Sequence, residues 1–143
     1  MPISFSMSDD GEHVELSLSG VLSSEEYVAF FREALAHSTT PLRCRTTLMD
    51  IEAGDVRGLS LAAVREVAEL SADEARRHPG QRRMAVLVSD PLTYGLVRQW
   101  DLFTNDANHR LEFFRTRTDA EAWLEMQRER VPAPGASRPA SGA

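Results

Sequence analysis

Apolar and polar residues along this chain change period several times, and each change marks an element. "ISFSM" alternates Ile3, Phe5 and Met7 with Ser4 and Ser6, and "HVELSLSG" alternates again through Val14, Leu16 and Leu18. Period two is that of a half-buried strand, and the intervening Asp9-Asp10-Gly11 turns the pair into a hairpin. "SSEEYVAFFREALAH" then shifts to helical spacing, with Tyr27, Phe30, Phe31, Ala34 and Leu35 on one face. Ser23 and Glu26 form a capping-box pattern at its start, and Pro41 marks the exit.

"RTTLMDI" predicts a third strand ending at Asp50 or Ile51. A helix follows from about Leu61 to His78, with Leu61, Val64, Val67, Ala68 and Leu70 inward. Ser71 and Glu74 repeat the capping spacing inside it, which allows a break there. "MAVLVS" has the continuous apolar character of a strand covered on both faces. Asp90-Pro91 opens a third helix, in which Leu92, Leu96, Trp100 and Phe103 share a face while Tyr94 and Val97 lie to the side. Any exposed part of this set, Tyr94 and Trp100 above all, would form an aromatic patch suited to a partner or an apolar ligand.

"NDAN" is a loop, "RLEFFR" a fifth strand, and Thr118 with Glu121 caps a last helix. Residues 131–143 hold Pro, Gly, Ser and Ala without periodicity and are expected to be a disordered tail behind a domain at 1–130. The order β-β-α-β-α-β-α-β-α predicts a single-domain α/β protein. Its sheet should be mixed, largely parallel and five-stranded, with helices packed against it.

Composition narrows the function classes. The chain has 143 residues, 42% hydrophobic and 27% charged, which suits one soluble domain. Its formal charge of -6 argues against nucleic acid as a partner. The single cysteine, Cys44, allows no intramolecular disulfide, and no apolar stretch is long enough to span a membrane. No signal peptide is visible, so the expected location is the cytoplasm. No nucleotide-binding or hydrolase motif is present, and His13, His37, His78 and His109 are scattered over four elements. The expectation is a non-enzyme without metal or cofactor.

"VELSLSGVLSSEEYVAF", "LMD", "MAVLVSDPLTYG" and "LEFFRTRTDAEAWL", in this order and spacing, resemble the SpoIIAA-like branch of the STAS superfamily over about residues 3–126. The resemblance implies a bacterial, non-enzymatic regulatory module that works by protein–protein contact. Anti-sigma-factor antagonists carry an Asp-Ser-Ser-Gly-Leu turn whose first serine is phosphorylated. The matching stretch here is Asp55-Val56-Arg57-Gly58-Leu59, which puts a valine in the acceptor's place. Ser60 is the nearest hydroxyl and suits the N-cap of the next helix.

Ligands of open α/β sheets bind outside the carboxyl ends of the parallel strands. That edge gathers Asp50, Asp55, Arg57 and Ser60, then Ser89, Asp90, Thr93 and Tyr94, then Arg115 and Thr118. Asp90, Ser60 and Thr118 also read simply as helix caps. Arg76, Arg77, Arg82 and Arg83 surround a helix end, where cations are favoured without any ligand. A second reading follows from the likeness of SpoIIAA-like sequences to Sec14-type carriers, which implies a small anionic or lipid ligand. Oligomeric state stays open.

Overall fold

A computed structural model describes residues 3–36, 46–77, 80–104 and 109–130. The elements are β1 (Ile3–Met7), β2 (His13–Val21), α1 (Ser24–Ala36), β3 (Thr46–Asp55) and α2 (Leu61–Arg77). They continue with β4 (Arg82–Leu87), α3 (Pro91–Thr104), β5 (His109–Phe114) and α4 (Arg117–Arg130). Residues 131–143, Cys44, His37, His78 and "NDAN" (105–108) lie outside the described residues, as do the side chains of Leu96, Trp100 and Phe103.

The five strands lie side by side in chain order, with β1 antiparallel to β2 and the others parallel. Each parallel crossover therefore steps in the same direction across the sheet. A right-handed crossover repeated in one direction stacks its helices on one face. Tyr27 and Phe31 of α1, Val64 and Val67 of α2 and Val97 of α3 pack there on Leu16, Met49, Ile51 and Val86. Among the described residues α4 is the last element, and it folds back onto the other face. There Ala120 and Leu124 close over Leu48, Ala85 and Leu87. β4 is buried from Met84 to Val88, as its continuous apolar run requires.

Local chemistry accounts for most element starts. Ser23 Oγ accepts from the Glu26 N–H at 3.1 Å, and Glu26 returns an acceptor to the Ser23 N–H at 3.2 Å, so the expected capping box forms. The turn before β2 is held by Asp10, whose Oδ1 accepts from Ser8 Oγ at 2.6 Å and the Glu12 N–H at 2.9 Å.

Five expectations need correction. β3 continues past Ile51 to Asp55 because β2 is long enough to pair with it throughout; a bulge opposite Leu18 absorbs one extra residue. α2 runs unbroken through Ser71 and Glu74, and the latter is buried and pairs with Arg77 at 3.4 Å. Leu61 faces outward, 50% exposed, because the first turn of α2 overhangs the sheet; Ala63 takes the inward position. In α3 Val97, expected to the side, is fully buried and Thr93 is buried too, whereas Leu92 is 58% exposed. Thr116 rather than Thr118 caps α4: its Oγ1 accepts from the Asp119 N–H at 3.2 Å. "RTRTDAE" offers two threonines at capping spacing, and the earlier one also takes the first helical bond, the Ala120 N–H donating to Thr116 O at 3.2 Å.

Candidate functional site

The carboxyl edge of the parallel strands is built from three connections. At the first, β3 leaves the sheet through Gly54, Asp55 and Val56. A Cβ on Gly54 would meet Leu18 Cβ at 2.9 Å, so only glycine lets β3 approach β2 this closely. Val56 is buried at 2% exposure and plugs the turn from beneath. The Leu22 N–H donates to Asp55 O at 3.0 Å and the Leu59 N–H to Val56 O at 3.1 Å, which fixes the backbone.

Asp55 is outside this packing and takes its partner from two residues ahead. Arg57 donates to it through Nε at 2.9 Å, Nη2 at 2.8 Å and its own backbone N–H at 3.0 Å. These bonds hold the carboxyl down to about 2. The Arg57 side chain nevertheless remains 63% exposed.

At the second connection Asp90 caps α3. Its Oδ2 accepts from the Thr93 N–H at 2.8 Å and from Thr93 Oγ1 at 2.7 Å, and these bonds lower its pKa. Ser89 Oγ donates across to Glu52 at 2.7 Å and ties the ends of β4 and β3 together. Between the two connections lies an open depression of about 310 Å³, whose lining includes Gly54, Asp55, Arg57, Asp90, Leu92 and Thr93. Asp55 and Asp90 are both held ionised, so neither is a proton donor at neutral pH. The arrangement suits recognition of a charged group by Arg57 and an apolar one by Leu92.

The remaining expected residues lie elsewhere. Asp50 points to the α4 face, where Arg117 binds it at 3.0 Å. Ser60 caps α2 by accepting from the Ala63 N–H at 3.1 Å, and its own N–H donates to Ser24 Oγ at 2.9 Å. Both serines line a second open depression of about 430 Å³ between α1 and α2, spanned by the Arg32–Glu66 ion pair. Tyr94 is 38% exposed, packs its ring edgewise on Phe113 at 5.3 Å and carries Arg98 at 5.9 Å. Arg115 is exposed just beyond β5, and Thr118 is exposed in the first turn of α4. In the basic cluster, Arg76 pairs with Asp73, Arg77 with Glu74, and Arg83 with Gln127. Each of these guanidinium groups has a partner within the fold, as Arg57 does, but none of them lies at the carboxyl edge of the parallel strands.

Arg117, at the third connection, is absent from the expected set. It bridges Glu15 on β2, at 3.0 and 3.1 Å, to Asp50 on β3 and Glu121 on α4. The carboxylates raise its pKa above the ordinary arginine value. Its local signal was the Arg117-to-Glu121 spacing on one helix, which is only a weak pointer. Among the described residues no three His, Cys, Asp or Glu side chains gather as metal ligands, and no helix is long and apolar enough to cross a membrane.

No protein-family model matches the chain, and no curated protein matches it significantly. Solved structures do. An uncharacterized DUF3478-family protein with a SpoIIAA-like fold from Shewanella loihica PV-4 is 25% identical, with a TM-score of 0.49 over 85% of this chain and 91% of that one. The anti-sigma factor antagonist SpoIIAA, in its unphosphorylated form, is 13% identical, with a TM-score of 0.49 over 87% of this chain and 97% of that one. With its antiparallel leading hairpin, parallel β2–β5 and four helices in the expected order, the chain has the mixed, largely parallel five-stranded α/β fold that its sequence predicts.

Proposed function

We propose that this chain is a cytoplasmic, non-enzymatic regulatory module of STAS type, which binds a partner protein constitutively through the edge formed by the β3–α2 and β4–α3 connections. The observation that carries this reading is Val56. It stands where the resemblance puts a phosphoacceptor serine, it has no hydroxyl, and it is buried as a plug of the turn. A kinase finds nothing to modify there. The neighbouring Ser60 is engaged as a helix cap and in contact with Ser24.

Arg57 is the anchor this reading selects. Its partner Asp55 takes Nε and Nη2 while the side chain as a whole stays 63% exposed, and guanidinium groups recognise carboxylates and phosphates well. The carrier alternative draws less support, because both depressions are open and charged residues line them. Crosslinking and affinity capture from the host tests the proposal. Wild-type protein should recover one specific partner and Arg57→Ala should lose it. Phosphate on Ser60 in host-purified protein, with capture altered by Ser60→Asp, would replace constitutive binding with a displaced switch.

A further inference from the structure

Among the described residues the sheet has two open edges, β1 and β5, and they are built differently. β5 carries Arg110 and Glu112, a 3.7 Å ion pair on an edge strand. Charges on an edge discourage another strand from adding to it. β1, "ISFSM", has no charge, no proline and no glycine. Its Phe5 and Met7 are 49% and 38% exposed.

The hydrogen-bond phase of β1 can be deduced. The Ser8 N–H donates to His13 O at 2.8 Å, so Ser8 and His13 form a bonded pair of the antiparallel ladder. Bonded and non-bonded pairs alternate along such a ladder. In the register Ser6↔Glu15 and Ser4↔Ser17, the two serines therefore spend their main-chain groups on β2. Ile3, Phe5 and Met7 direct theirs away from the sheet.

We propose that β1 pairs antiparallel with β1 of a second copy about a two-fold axis at Phe5, joining the two sheets into one. In that register Phe5 faces its own copy, Ile3 faces Met7 and Ser4 faces Ser6. Each outward N–H then meets an outward C=O. All apolar side chains fall on one face, beside Phe30, which already touches Phe5 at 6.3 Å between ring centroids. The serines fall on the other. β1 carries no charged residue, so no like charges face each other along the paired strands. A second copy supplies this alternation in matching register by symmetry, which is why it is the occupant assigned to this edge.

Sedimentation velocity at roughly 100 µM should show a dimer, as expected for a seam of this small size. Phe5→Pro removes one outward N–H that β2 does not use and should weaken the dimer more than about tenfold while far-UV circular dichroism stays unchanged. Should that variant misfold, Phe5→Cys on a Cys44→Ser background decides. Cα atoms of a bonded antiparallel pair lie about 5.5 Å apart, within disulfide reach, so mild oxidation should link two copies. A monomer at that concentration would overturn the proposal. So would a dimer that survives Phe5→Pro while the Phe5→Cys variant fails to crosslink.

Discussion

Two connections on the same edge of the sheet each place an arginine beside carboxylates, yet they are held together in opposite ways. The β3–α2 turn rests on packing, with Gly54 against Leu18 and Val56 beneath, and among the described residues its Arg57 bonds to Asp55 two residues away. The β5–α4 turn has no such plug. Its Arg117 reaches Glu15, 102 positions earlier, and Asp50, 67 positions earlier. An arginine with a local partner leaves the fold intact when removed and is available to an outside ligand. An arginine with distant partners belongs to the fold itself.

Substituting the plug should have the largest effect. Val56→Asp places a carboxylate in a buried, apolar position and should cost about 3 kcal/mol or more in urea unfolding. Gly54→Ala comes next, at about 1–3 kcal/mol, because its new methyl collides with Leu18 Cβ and nearby backbone. A loss below a few tenths would mean that packing does not hold this turn. Arg117→Met should cost roughly 1 kcal/mol, since its ion pairs are partly screened, and the difference from wild type should shrink in molar salt.

Arg57→Ala should leave the unfolding midpoint unchanged within error; a clear drop would erase the contrast between the two arginines. The smallest effect is local and read by NMR. The Asp55 carboxyl should titrate at about 2, and in Arg57→Ala it should move back towards 3.8. Its folded-state pKa is depressed, so whatever stability it contributes is complete above the unfolded value near 4 and is lost as pH falls towards 2.

The element order was legible because each helix and strand announces itself locally, through a capping box at Ser23, Asp90-Pro91 before α3 and period-two alternation in β2. The end of β3 was not. Glu52-Ala53-Gly54-Asp55 contains no strong β-former, and these residues are extended only because β2 supplies a partner as far as Val21. The Asp55–Arg57–Asp90 grouping could be anticipated from topology, since strand ends converge. Arg117 could not be, because its two principal partners are distant in the chain and meet it only across the finished sheet.

The strands stand in the sheet in the order in which they occur in the chain. Every pairing is therefore made between strands consecutive in the chain, and the ladder can grow from β1 to β5 with loop closures as short as parallel crossovers allow. The Arg117 bridge joins the last helix back to β2. It forms after the last strand is docked, so its loss should accelerate unfolding while leaving the rate of folding nearly unaltered.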